Sequence, residues 1–139
     1  MGFVTLPFNG VVAAGGEKTL ASKRLTFPYR IHKLISSFAL GQDRTMQVRF
    51  FNAKDNQAPA SGLPSGLDLL NIYGESAFLV GDEDTKTSLF EALVPEGGTY
   101  MKVYARNTDG FEHTIDCQVV IERLPAGVKP NPGEVVLGG

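Results

Sequence analysis

The stretch that decides the fold class is residues 99–124, which reads TYMKVYARNTDGFEHTIDCQVVIERL. In its second half, apolar and polar residues alternate. One face carries Phe111, His113, Ile115, Cys117, Val119 and Ile121. A side-chain period of two predicts a β-strand with one face in the core and the other in solvent. The segment 107–110 contains residues that tolerate positive φ, so the two halves are predicted to form a long antiparallel hairpin.

The first half of this stretch presents a candidate binding face. Its core-facing side carries Met101, Val103 and Ala105, and its opposite side carries Tyr100, Lys102, Tyr104 and Arg106. Tyrosine and arginine are enriched where protein interfaces concentrate their binding energy. Two interpretations stay open: the tyrosines are exposed for binding, or a second sheet layer covers them.

Composition extends the β prediction to the whole chain. Its 139 residues are 42% hydrophobic and 20% charged, with 16 Gly, 8 Pro and no Trp. This length suits one domain with a single core. Short apolar runs between turns predict an all-β fold over residues 1–124, an antiparallel two-layer β-sandwich similar to a jelly roll with about eight strands. Residues 125–139 are predicted to be an extended or flexible tail that can dock on a neighbouring subunit.

Individual segments carry narrower expectations. Asn9-Gly10 is a hairpin-turn signal after the apolar run 3–8, in which Pro7 favours a sheet edge. Residues 31–40 fit both helical and strand spacing and are predicted to be a strand, whereas residues 86–94 fit either a strand or one helical turn. Further strands are predicted at residues 45–52, 67–73 and 77–80.

The ends of the chain and its single cysteine indicate where it is made. Cys117 alone excludes an intramolecular disulfide and limits any zinc site to one thiolate. The first residues lack the basic and apolar segments of a signal peptide, and no apolar run approaches the ~20 residues of a membrane helix. We therefore expect cytoplasmic synthesis without a signal peptide and no membrane partner. The protein can still act elsewhere, including as part of a virion.

Charge is unevenly distributed along the chain. Residues 1–54 carry eight basic and two acidic side chains, and residues 55–139 carry five basic and thirteen acidic ones. This asymmetry either lets copies pair head to tail or disappears when distant strands mix in a sandwich, and we favour mixing. The overall charge of −2 and pI of about 5.6 disfavour nucleic acid as a partner.

Candidate residues for chemistry are few. His113 is expected to be structural, because Asp116 lies three positions along the strand and therefore on its opposite face. Cys117 lies on the apolar face and is expected to belong to the core. Asp82 and Asp84 are weak candidates for calcium ligands, and a solvated acidic turn is the preferred interpretation. No catalytic residue, metal or cofactor is predicted.

These observations favour a non-enzymatic protein that acts through its surface. The leading hypothesis is a structural assembly protein of a virus or phage particle, capsid-associated or of the decoration type. It would contact itself as a homo-oligomer or other structural proteins. The alternative is a carbohydrate- or ligand-binding module that uses the exposed tyrosines and Asn56 and Gln57 of the aperiodic loop 53–66. A third hypothesis is a small enzyme centred on His113.

Overall fold

The computed structural model describes residues 2–72 and 78–137, and it arranges them as two packed β-sheets. In chain order the elements are β1 (Phe3–Val12), β2 (Glu17–Ala21), β3 (Tyr29–Phe38), β4 (Met46–Ala53), β5 (Leu67–Asp68), α1 (Leu69–Ile72), β6 (Asp84–Val94), β7 (Tyr100–Asn107), β8 (His113–Arg123) and β9 (Val135–Val136). The first sheet has the order β1-β8-β3-β6-β9, and the second has the order β2-β7-β4-β5.

The strand order is that of a jelly roll with β9 added at one edge. Successive strands pass from one sheet to the other, except for β4 to β5 and β8 to β9. All pairs are antiparallel except β6 with β9. The predicted all-β sandwich is therefore confirmed, and its topology is the two-sheet arrangement in which distant parts of the chain become neighbours.

The core fills the space between the two sheets. Its largest fully buried members include Ile31, Leu34, Phe50, Phe90 and Met101. Tyr29 brings a hydroxyl group into this apolar layer. The hydroxyl of Thr99 lies 2.6 Å from it, and the amide of Asn52 donates to it at 2.7 Å. Because Tyr29 and Asn52 belong to different sheets, these bonds join the layers while satisfying buried polar groups.

The predicted hairpin over residues 99–124 is wrong. Strand β7 pairs with β2 and β4, whereas β8 pairs with β1 and β3 in the other sheet. Asn107 holds the connection between them, because its side-chain amide donates to the carbonyl oxygen of Phe111 at 2.7 Å. Each strand does turn its apolar face to the core, as predicted, but Phe111 precedes β8 and is 73% exposed instead of facing the core. Alternation cannot distinguish two strands in one sheet from two strands that face each other across a sandwich.

The predicted turn at Asn9-Gly10 is also wrong, because β1 runs through both residues. Gly10 pairs with Ile115, and Val12 pairs with His113 beyond it. The edge position expected from Pro7 is confirmed, since β1 is the first strand of its sheet. The continuous neighbour β8 offers hydrogen-bonding partners along the whole of β1, and this pairing outweighs the local turn preference.

Strand predictions at three other segments are resolved. Residues 31–40 lie mostly in β3 and residues 86–94 in β6, so both are strands. Within the described part of the segment 67–73, which is residues 67–72, Leu67–Asp68 is a strand and α1 follows it. Residues 73–77 lie outside the described residues, but Leu79 from the predicted strand 77–80 forms an isolated bridge with Val48.

The C-terminal segment folds back onto the same sandwich. Strand β9 pairs with β6, and the amide of Leu137 donates to the carbonyl of Leu93 at 2.8 Å. Leu137 is 2% exposed and belongs to the core. Glu134 accepts two hydrogen bonds from the guanidinium of Arg30, at 2.6 and 3.1 Å. Residues 134–137, which lie within the segment predicted to be an extended or flexible tail, are held on this chain's own sandwich by an apolar anchor and a bidentate ion pair.

Candidate functional site

The outer faces of the two sheets differ in how they are covered. We call the outer face of β2-β7-β4-β5 the covered face, because the loop 53–66 lies over it. We call the outer face of β1-β8-β3-β6 the open face. The covered face contains the sequence-predicted site residues of β7, and the open face contains exposed apolar side chains that were not singled out.

On the covered face, Lys102 anchors both ends of the loop. Its side chain is fully buried, and its Nζ lies 2.8 Å from Asp55 Oδ1 and 3.0 Å from Ser65 Oγ. Ser65 Oγ also donates to the Asp55 carboxylate. The hydrogen bond from Lys102 is the main cause that lowers the pKa of Asp55 to about 2. This charged cluster therefore joins the two ends of the loop to each other and to β7.

A second cluster holds the loop at Gly62. The Tyr104 hydroxyl donates to Glu17 Oε1, and the backbone amide of Gly62 donates to the same carboxylate at 3.3 Å. Burial is the largest cause that raises the pKa of Tyr104 to about 12, followed by its hydrogen bond to Glu17. The Tyr104 bond in turn lowers the pKa of Glu17. The loop is therefore held to the sheet at both ends and also at Gly62.

These contacts correct the expectation of exposed tyrosines. Tyr104 is 4% exposed and Lys102 is 0% exposed, while Tyr100 is half-buried and Arg106 is exposed. A loop, rather than a second sheet, covers the face. The loop residues proposed for binding, Asn56 and Gln57, are exposed at the bend after Asp55 and are not brought to the β7 side chains.

A small polar pocket lies between Arg106 and the loop at Gly62 and Leu63. It has a volume of about 220 Å³, and its lining includes Glu17, Gln47, Arg49, Tyr104 and Arg106. A second pocket, of about 380 Å³, lies on the other side of Glu17 and is lined partly by Thr19 and Pro59. Sequence reasoning missed Glu17, Gln47 and Thr19, because nothing local indicates that β2 and β4 flank β7.

The open face combines exposed apolar and charged side chains. Leu89 is 74% exposed and Phe3 is 66% exposed. Lys33 lies between Leu89 on β6 and Val120 on β8 in the strand register. Next to this row, His32 contacts Glu122 at 3.0 Å and Glu91 at 3.3 Å.

The residues considered for catalysis have structural partners. His113 Nε2 lies 2.8 Å from Asp109 Oδ2, and this bond is the main cause of a lowered pKa at Asp109. The acidic partner thus comes from the preceding turn, not from Asp116. Among the described residues, no serine, threonine or cysteine side chain hydrogen-bonds to His113. Cys117 is buried, and burial raises the pKa of its thiol to about 12.

The carboxylates of the acidic turn, Asp82 and Asp84, already have hydrogen-bond and ion-pair partners within the chain. Asp82 Oδ1 accepts from the backbone amides of Gly41 at 2.9 Å and Asp43 at 3.2 Å. Asp84 accepts from the amide of Asp82 and pairs with Lys86 at 3.0 Å. In residues 2–72 and 78–137, no group of three or more His, Cys, Asp and Glu side chains is arranged to hold a metal ion.

No protein-family model matches this chain, and no curated protein sequence matches it either. Among solved structures, the Yersinia pseudotuberculosis-derived mitogen is 9% identical over 98% of this chain and 97% of its own, with a TM-score of 0.34. The extracellular domain of ANXUR2 from Arabidopsis thaliana is 14% identical, with a TM-score of 0.33. Its match covers 94% of this chain but only 32% of the ANXUR2 chain. Similarity at this level identifies neither a family nor a function.

A membrane-spanning helix is not found in the part of the chain that the structure describes.

Proposed function

We propose that this chain is a non-enzymatic structural subunit that assembles through protein–protein contacts, as a component of a virus or phage particle of the capsid-associated or decoration type. The single observation that carries this proposal is the open face. Its sheet already buries its inner side in the core, yet its outer side leaves Phe3 and Leu89 largely in solvent. Phe3 on β1 and Leu89 on β6 lie at opposite sides of this face, and large apolar side chains left on one exposed face support a protein interaction site.

The occupant of the open face that we favour is a second copy of the same chain. This face carries the cation Lys33 beside the apolar Leu89. The anions Glu91 and Glu122 lie near them and already contact His32, and Glu122 also pairs with Arg30 at 3.6 Å. Opposite charges on one patch allow two copies related by a two-fold axis to place each cation against an anion. A homodimeric contact of this kind can be repeated or joined to other structural proteins in a particle.

The jelly roll supports this proposal only as background, because one fold serves both particle subunits and sugar-binding domains. The enzyme hypothesis gains no support from His113, whose ring nitrogen is bound to Asp109 in the adjacent turn. The ligand-binding hypothesis has an observation of its own, the polar pocket beside Arg106, which is independent of the open face.

Light scattering at increasing protein concentration tests the proposal. We expect a discrete oligomer for the wild-type chain and a mass near 15.0 kDa for Leu89→Asp, because a carboxylate would be desolvated in the contact. The matched control is Leu40→Asp, since Leu40 is exposed to 73%, against 74% for Leu89, but lies outside the open face, beyond the end of β3. This variant is expected to keep the wild-type mass. A monomeric wild-type chain, or an oligomer that survives Leu89→Asp, would contradict assembly through this face.

A further inference from the structure

We infer that the pocket beside Arg106 binds one ring of a neutral carbohydrate. The inference begins with the strand register, which places polar side chains in two neighbouring rows on the covered face. Glu17, Arg106 and Gln47 form one row across β2, β7 and β4. Thr19, Tyr104 and Arg49 form the next row. The pocket lies over both rows, beneath the loop at Gly62 and Leu63.

Two groups in this pocket make no side-chain hydrogen bond within the described part of the chain, although the charge of Arg106 contributes to the lowered pKa of Glu17. The Arg106 guanidinium makes no hydrogen bond or ion pair there, and the half-buried amide of Gln47 makes no side-chain hydrogen bond there. They are direct neighbours on β7 and β4. Arg49 differs from them, because its guanidinium is paired with Asp68 at 3.2 Å. The pocket therefore holds adjacent free donors beside an anchored anion, Glu17.

This combination fits hydroxyl groups better than a second charge. A sugar hydroxyl both donates and accepts. Adjacent hydroxyls can donate to Glu17 while accepting from Arg106 and Gln47. A carboxylate ligand attracted by Arg106 would also face the ionised Glu17, and a cationic ligand attracted by Glu17 would also face Arg106. A neutral polyol meets neither repulsion.

The size of the pocket and its neighbour define the length of the ligand. At about 220 Å³ the first pocket is smaller than sites for drug-sized ligands, which occupy roughly 300–1,000 Å³, so it suits a single ring. The adjoining pocket of about 380 Å³ includes Thr19, which is 6% exposed and whose hydroxyl is buried without a hydrogen-bond partner. An unpaired buried hydroxyl is uncommon in folded proteins. A second ring of an oligosaccharide could occupy this adjoining pocket, beside β2 and the loop at Pro59.

The site is held ready before a ligand arrives. Glu17 is fixed by Tyr104 and Gly62, and the loop above it is closed by the Lys102 cluster. Binding therefore does not require the loop to be ordered first, which lowers its entropic cost. No large aromatic ring is exposed in the pocket, because Tyr104 is buried, so we expect weak affinity that needs millimolar sugar to detect.

The test is a nuclear magnetic resonance titration of the full-length ¹⁵N-labelled chain with maltotriose, cellotriose, chitotriose and α-mannotriose, each to 20 mM. We expect at least one trisaccharide to shift the backbone amides of Gly62 and Arg106 in a saturable manner. Arg106→Met and Gln47→Leu should each weaken that binding at least ten-fold. The control Arg123→Met, on a strand of the other sheet, should leave it unchanged.

Two results would overturn the inference. The first is the absence of saturable shifts with all four sugars, and the second is binding that persists unchanged in both Arg106→Met and Gln47→Leu. Unchanged amide spectra of these variants away from the pocket exclude misfolding as the cause of lost binding. The inference does not rest on the proposed assembly, because the open face lies on the other sheet. Failure of either one leaves the other standing.

Discussion

At the scale of single residues, Lys102 shows how one buried cation organises a surface. Its position on the polar side of β7 would leave it in solvent if the sheet were bare. The loop 53–66 instead buries it completely, with Asp55 and Ser65 as its partners. A buried ion pair is weak evidence for stability, because desolvation offsets the attraction between the charges. Its clearer consequence is to fix one loop conformation over the covered face.

The lowered pKa of Asp55 predicts a specific pH dependence. Its ordinary pKa is 3.8, and in the fold it is about 2. Because the folded value is the lower one, the ionised carboxylate stabilises the fold above pH about 4, and this contribution is lost as the pH falls toward 2. In urea unfolding between pH 4 and 2, we expect Asp55→Asn to show a shallower loss of unfolding free energy than the wild type.

The control for this experiment is Asp116→Asn, which removes an exposed carboxylate on β8 that makes no ion pair with other described residues. It should leave the wild-type slope between pH 4 and 2 in place. A slope for Asp55→Asn equal to that of the wild type would show that Lys102 does not hold this carboxylate in its ionised form.

At the scale of elements, β3 explains an ambiguity in the sequence. Ile31 and Leu34 are both buried although they lie three positions apart, as on a helix. A bulge between Ile31 and Lys33 produces this spacing, since His32 is an extra residue opposite β8. His32 and Lys33 therefore both lie on the outer side of the sheet. The helical spacing was real, but its cause was an irregular strand.

The continuity of β1 gives a second prediction at this scale. Gly10→Ala should be neutral or stabilise the fold by about 0.5 kcal/mol, because alanine suits a strand better than glycine. The nearest atoms to a Cβ there would be at the flexible ends of Leu20, at 3.4 Å, and Lys18, at 3.5 Å. Gly15→Ala should instead cost about 1 kcal/mol, because Gly15 has a φ of 66° in the turn after β1.

Chemical denaturation of the two variants measures both effects. If Gly10→Ala destabilised the protein as much as Gly15→Ala, the extended backbone of a continuous strand at Gly10 would be contradicted.

At the scale of the whole molecule, the sandwich is closed by its last described residues. Strand β9 covers the free edge of β6, and the side chain of Leu137 packs in the core. Its hydrogen-bond partner Leu93 lies 44 positions earlier in the sequence. Covering a sheet edge also removes a site at which other chains could pair. The C-terminal segment therefore stabilises the molecule and leaves the open face as its principal exposed sheet surface.

The prediction for the whole molecule concerns this closing segment. Leu137→Ala should lower the free energy of unfolding by about 2–4 kcal/mol, because it leaves a cavity in the core. The neighbouring Val136→Ala should change it by less than about 1 kcal/mol, since Val136 is 45% exposed. Thermal or urea unfolding compares the two. Equal, small effects would show that residues 135–137 do not pack on the sandwich in solution.

The candidate site was only partly predictable from the sequence. Alternation placed Tyr100, Lys102, Tyr104 and Arg106 together on one face of β7, and the structure keeps them on that face. It could not show that the loop 53–66 covers Tyr104, because the contacts through Glu17 and Gly62 join segments 45 residues apart. Gln47 could not be identified as a site residue for the same reason, since its position opposite Arg106 depends on strand order.

The sequence by itself determined the fold class, the two faces of β7 and β8, and the edge position of the proline-containing first strand. These properties follow from side-chain period and backbone chemistry, which act over a few residues. Only the tertiary structure decided that β7 and β8 lie in opposite sheets, that the loop buries Lys102, and that the C-terminus returns to the core. Strand partners are chosen by the burial and hydrogen bonding of the whole chain at once, so no local pattern specifies them.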